Sequence, residues 1–190
     1  MTLYSDERVV AGVRLELLRP ASPEELIDED AFAEDEFMPY WAELWPSGLE
    51  LARALPERLD GVEVVELGCG LGVPALTAAT RGARVTALDW AAAAVELLRT
   101  NAERNGIELR AVRADWRSFS GRFDLALGAD LLYEQRNADA LLHLLPALAP
   151  EVLLADPGRP HAGDFFARAA EDWSVERTAG VYRLRRRRRR

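Results

Sequence analysis

From Val62 onward the chain changes periodicity again and again. Short apolar runs, VEVVEL (62–67), RVTALD (84–89), ELRAVRAD (108–115), FDLALGAD (123–130) and EVLLAD (151–156), take turns with helical ones. The helical runs are VPALTAATRG, AAAAVELLRTNAERNG, ADALLHLLPALA (138–149) and GDFFARAAEDW. Strands that are apolar almost throughout suit burial on both faces. Alternation with helices then implies a parallel sheet covered on both sides. The last two runs, WSVERT and GVYRLR, are separated only by Ala179-Gly180, too short for a crossover, so they must pair antiparallel. The expectation is an α/β fold: a doubly wound, seven-stranded, mostly parallel sheet ending in an antiparallel hairpin.

Upstream, RVVAGVRLELLRP alternates apolar and polar residues and reads as a short N-terminal β extension that ends at Pro20. SPEELIDEDAFAEDEF reads as an acidic loop and short helix, with Ser22 as N-cap and Pro23 in the first helical position. SGLELARALPERL (47–59) is helical, with Leu49, Ala52 and Leu55 on one face. The 190 residues, 49% of them hydrophobic, suit one domain. We place it at 1–184, with residues 1–38 as an extension and 185–190 as an arginine tail. No run approaches the ~18 apolar residues of a membrane helix, and the N-terminus has no basic-then-apolar leader pattern. One cysteine, Cys69, cannot form an internal disulfide, so the expected compartment is the cytoplasm.

Charge narrows the chemistry. All 24 basic residues are arginine. Without lysine there is no P-loop lysine, no kinase lysine and no Schiff-base lysine. Two histidines and one cysteine do not make a zinc site, so no metal is expected. Removing the seven arginines of RLRRRRRR (183–190) takes the net charge from −8 to −15, and residues 20–52 hold ten acids and no base. Such a body repels phosphates; a nucleic-acid partner is not expected, and a basic protein or cationic small molecule suits it better. The terminal arginine run is expected to be disordered.

The first strand runs into Gly68, Gly70 and Gly72, a spacing of G-x-G-x-G. A dinucleotide fingerprint would place its third glycine where Val73 stands. Glu66 sits near the end of a buried strand, where a carboxylate needs a partner: a cofactor amine, or the backbone N–H groups of the glycine loop. Asp89 ends the second strand, 21 residues after Gly68, where an acid can bind both hydroxyls of a ribose. Asp115 ends the third strand and precedes Trp116. It can accept from an adenine amino group while the indole packs on the ring. These residues describe a site for adenosine with no device for a phosphate.

ELGCGLG, ALD and RADW resemble the first three motifs of the class I, seven-strand, Rossmann-like S-adenosylmethionine-dependent methyltransferases, and the terminal hairpin matches that family's extra strand. The resemblance covers roughly residues 47–184. PYWAELWPSGLELARAL (39–55), LDW, GADLLYE (128–134) and ADPGRP (155–160) resemble a narrower branch, the protein lysine methyltransferases similar to the one acting on the electron-transfer flavoprotein β subunit. In that branch a D-x-x-Y motif follows the fourth strand; here it is Asp130-Leu-Leu-Tyr133. The resemblance implies S-adenosyl-L-methionine as cofactor, held by Trp45, Gly68, Cys69, Gly70, Asp89, Trp90, Trp116 and Ala129, with Glu66, Gly72 and Asp115 completing the site. The glycines would leave room for the methionine tail. It implies catalytic roles for Asp130, holding the acceptor's ammonium group, and Tyr133. The acceptor would be a nitrogen of a protein lysine. A small-molecule N- or O-methyltransferase and a non-catalytic cofactor-binding member stand as alternatives. Trp41, four residues before Trp45, reads as ordinary core, and His143 as packed against its helix neighbours.

Overall fold

A computed structural model describes residues 2–21 and 39–187. The helix expected after Ser22 lies outside the described residues. Strands β1 (Leu3–Val10) and β2 (Val13–Pro20) form an antiparallel hairpin, turned by Ala11 and Gly12 at φ +50° and +80°. Two successive positive φ values give a two-residue turn whose twist matches its strands. After a 3-10 turn at Tyr40–Ala42 comes α1 (Pro46–Ala54), begun by a proline whose missing N–H costs nothing there. It stops before the expected Leu59. Pro56 forces Leu55 out of the helical region, to ψ 145°.

The sheet then follows in order: β3 (Glu63–Leu67), α2 (Val73–Thr80), β4 (Arg84–Asp89), α3 (Ala92–Arg104), β5 (Arg110–Arg113), β6 (Leu125–Ala129), α4 (Gln135–Leu148), β7 (Glu151–Ala155), α5 (Ala162–Ala169), β8 (Trp173–Thr178) and β9 (Val181–Arg186). Its spatial order is β5-β4-β3-β6-β7-β9-β8. The five strands from β5 to β7 are parallel, while β9 runs antiparallel to both β7 and β8. This is the seven-stranded arrangement read from the sequence. Successive strand residues face opposite cores: Val64 joins α1, α2 and α3 on one side, and Val65 joins α4 and α5 on the other. No helix among the described residues is long and apolar enough to cross a membrane.

Two details depart from expectation. The arginine run is not free of structure at its start, because β9 carries it to Arg186. Leu184 is buried, Arg183 and Arg185 pair with Glu151, and Arg187 donates to the Trp173 carbonyl. The N-terminal hairpin is also tied down more firmly than its alternation suggests. Asn101 on α3 and Asn105, its C-cap one turn on, each accept from and donate to the β2 backbone, at Leu18 and Glu16 respectively. Their amides satisfy the strand edge as a further strand would.

Strand order reverses at β3, which has β4 on one side and β6 on the other. The loops leaving these strands diverge and open a crevice at their carboxyl ends, the usual ligand position in such sheets.

Candidate active site

A cavity of about 590 Å³ fills that crevice. It is lined by every residue the sequence singled out: Trp45, Glu66, Gly68, Cys69, Gly70, Gly72, Asp89, Trp90, Asp115, Trp116, Ala129, Asp130 and Tyr133. Three strands bring them together. The glycine turn follows β3, Asp89 ends β4, and Asp130 follows β6.

The glycines also serve the protein's own packing. Gly70 has φ +50°, and a Cβ there would stand 3.0 Å from the Trp41 carbonyl oxygen; Gly72 has φ +70°, and its Cβ would meet Leu98 Cδ1 at 2.4 Å. At Gly68 it would meet Leu131 Cδ2 at 2.9 Å. The missing side chains make room for the protein's own packing. Space for a ligand follows from the backbone path this permits.

Glu66 is 2% exposed, and its Oε2 accepts from the Ala75 N–H at 2.8 Å, inside the first turn of α2. The backbone donor belongs to α2 rather than to the glycine loop itself. Burial pushes its carboxyl up to about 8, with the nearby Asp89 charge adding to the shift and the Ala75 bond opposing it. Asp89 Oδ2 accepts from the Gly70 N–H at 2.9 Å, and Oδ1 from the Ala91 N–H at 3.0 Å. It ties the glycine turn to the start of α3 and keeps lone pairs for further donors. Burial raises its carboxyl too. Cys69 is buried beside both acids. Burial first, then those charges, raise its thiol well above the usual range, so it has no nucleophile's character.

Asp115 is engaged otherwise than expected. It caps a 3-10 turn at Trp116–Ser118 by accepting from the Arg117 N–H, and the Arg117 side chain grips both its oxygens. That arginine lowers its carboxyl below the usual range. Trp116 is buried in the core beside α4, while Trp90 is 50% exposed at the cavity mouth. Trp41 is not core. It is half-buried, lines the cavity, and its carbonyl backs Gly70. It shares no helix face with Trp45, because the 3-10 turn ends at Ala42 and Trp45 is the N-cap of α1. Trp45 Nε1 donates to the Tyr40 carbonyl at 2.9 Å. His143 is exposed on α4, its Nδ1 bonded to the Asp139 carbonyl.

Asp130 sits at φ +57°, 9% exposed, with its N–H on the Ala155 carbonyl. Its carboxylate is already held. Oδ2 accepts from Ser47 Oγ at 2.5 Å and Oδ1 from Arg159 Nε at 2.8 Å. Tyr133, at the same border, is exposed.

The donor set can be tested against an adenosine ligand lacking phosphates. The lining offers a buried, twice-anchored carboxylate at the switch point. Its three arginines, Arg117, Arg136 and Arg159, each face a carboxylate, Asp115, Glu134 and Asp130. No unpaired cation among them awaits a phosphate, so the residues fit.

Known proteins agree with this architecture. A family model described as "Methyltransferase domain" matches residues 64–151. The electron transfer flavoprotein beta subunit lysine methyltransferase of Danio rerio is 36% identical over 136 residues, 66% of this chain and 53% of that protein. The protein N-lysine methyltransferase METTL21A of Mus musculus is 38% identical over 117 residues, 55% of this chain and 53% of that one. The magnesium protoporphyrin IX methyltransferase of Synechocystis, solved with bound SAM, superposes with a TM-score of 0.62 at 16% identity, over 88% of this chain and 99% of that chain. Over these stretches of sequence, and in fold, the chain is similar to S-adenosylmethionine-dependent methyltransferases. It spans about half the length of the two sequence relatives named.

The residues that sequence reasoning missed are Ser47 and Arg159. Ser47 lay in the quoted PYWAELWPSGLELARAL and Arg159 in ADPGRP. Only the folding of α1 and the β7–α5 loop onto the end of β6 brings them to Asp130.

Proposed function

We propose that this chain is an enzyme that transfers a methyl group from S-adenosyl-L-methionine to the side-chain nitrogen of a protein lysine. The observation that carries the reading is the convergence of the glycine turn, Asp89 and the Asp130–Tyr133 motif on one phosphate-poor cavity at the switch point. Likeness to two lysine methyltransferases supports the acceptor class. Asp89 would hold the ribose hydroxyls, the glycine turn and Glu66 the methionine end, and Trp90 and Trp116 the adenine side. When bound, the cofactor supplies a methyl group activated by its positively charged sulfur.

The chain's own work is alignment. The acceptor nitrogen must lie in line with the methyl–sulfur bond, and such positioning is a major source of rate. A lysine must also arrive neutral, although its free pKa is about 10.4. Asp130 and Tyr133 border the acceptor side, and the half-exposed ring of Tyr133 offers a wall beside the lysine stem. Half-exposed aromatics at the mouth suit a protein surface carrying the lysine.

The test is to incubate the protein and its Asp130→Ala variant with methyl-labelled cofactor. The acceptors are the purified β subunit of an electron-transfer flavoprotein and a cell lysate, with mass spectrometry of the product. Methyl-lysine formed by the native protein and lost in Asp130→Ala supports the reading. Label found only in small molecules contradicts the acceptor class, and undiminished transfer by Asp130→Ala contradicts the role given to that residue.

A further inference from the structure

Asp130 meets the acceptor side with a partner already in place. Arg159 is fixed three ways. Asp156 Oδ1 accepts from the backbone N–H groups of Gly158 and Arg159, at 2.8 and 2.7 Å, and turns the loop after β7 inward. Gly158 takes φ +98° to allow that turn. The guanidinium then bonds Asp130 through Nε and lies 5.5 Å from the Trp45 ring centroid, facing its π surface. Its two terminal nitrogens make no hydrogen bond to the described residues. Arg159 lines the cavity together with Asp130, as a charge pair whose sum is zero.

An uncompensated carboxylate at this place would stabilise a lysine as its ammonium, the form unable to attack a methyl group. A carboxylate neutralised by a fixed guanidinium does not. We propose that Arg159 is a specificity-determining residue of the acceptor site, cancelling the Asp130 charge so that the site takes up a neutral amine in preference to an ammonium. The inference rests on the methyltransferase reading above. It also gives Asp130 a different part from the ammonium holder expected from sequence.

The surrounding charges do not replace this effect. On the far wall Arg117 is matched by Asp115, and on α4 Arg136 is matched by Glu134. Asp156, in the β7–α5 loop, is buried; its Oδ1 is spent on its own turn and holds the Arg159 backbone, while its Oδ2 meets no hydrogen-bond partner among the described residues. Tyr40 and Tyr133 are exposed phenols at the rim, and Glu43 lies ahead of α1. Glu66 and Asp89 belong to the glycine-turn side.

The test compares two ligands of the cofactor site, S-adenosylhomocysteine and sinefungin, by calorimetry. Sinefungin carries an amino group where the cofactor carries its methylated sulfur, so it presents a titratable nitrogen at the reacting position. Groups common to both ligands cancel in their affinity ratio. In the native protein the preference for sinefungin should rise with pH as its amine loses its proton. In Arg159→Gln the preference near neutral pH should be about tenfold greater than native, because a bare Asp130 now attracts the ammonium. Arg159→Lys, which keeps the charge, should restore the native ratio and pH trend. Equal ratios in native protein and Arg159→Gln would overturn the inference, as would equal changes in Arg159→Gln and Arg159→Lys. If the native protein binds neither ligand, the methyltransferase reading itself falls, and the inference with it.

Discussion

Glu66→Gln should remove a large part of the protein's pH-dependent loss of stability. In the folded chain the Glu66 carboxyl is pushed to about 8, against 4.5 for the ordinary group, chiefly because burial disfavours its charge. Between those values the unfolded chain has released this proton and the folded chain still holds it. The native state is then the one that binds more protons, so its stability falls as pH rises. The contribution is complete below the unfolded pKa and gone above about pH 8. Each unit of pH costs about 1.4 kcal/mol, giving about 4 kcal/mol between about pH 5 and about pH 8. Glutamine has no proton to lose and still offers an oxygen to the Ala75 N–H. Any constant penalty from its amide leaves the slope untouched. Urea denaturation of both proteins across that interval, followed by tryptophan fluorescence, measures the difference. The variant should gain steadily on the native protein as pH rises. A stability difference independent of pH would refute the placement of a protonated carboxyl under α2.

Other substitutions probe the scaffold. Gly72→Ala forces a Cβ into Leu98 at a left-handed φ and should cost about 2–5 kcal/mol in urea denaturation. Gly48→Ala, on helix α1 with nothing within 4 Å of the new atom, should stabilise by about 0.5–1 kcal/mol in the same assay. Asn101→Ala strips both partners from the Leu18 backbone and should cost about 2–4 kcal/mol, with hydrogen exchange at the Leu18 amide rising sharply.

The sheet was readable because its signals are local. Residues such as Val64 and Val65 must be apolar on both faces of a central strand, and glycine at 68, 70 and 72 marks a turn of positive φ that other residues adopt only rarely. The ends of elements were less so. Leu55 leaves the helix because of Pro56, a one-residue effect within a run that is otherwise helical. Arg185 looks like the start of a tail until Glu151 of β7 is placed beside it. At the site, carboxylates at strand ends announced the cavity, because an acid closing an apolar run is conspicuous. Their partners were not legible. Whether Asp115 faces a ligand or Arg117, and whether Asp130 is bare or paired with Arg159, depends on loops that meet only in three dimensions. Four-residue spacing suggests one helix face for Trp41 and Trp45, but an extended stretch after Ala42 separates them.

The central claim is that the crevice beyond β3, β4 and β6 holds an adenosine cofactor without phosphates. Calorimetric titration with S-adenosylhomocysteine tests it most directly. The account predicts one binding site per chain, binding lost in Asp89→Ala and no competition from NAD. Tight binding of NAD, or affinity for S-adenosylhomocysteine unchanged by Asp89→Ala, would contradict it.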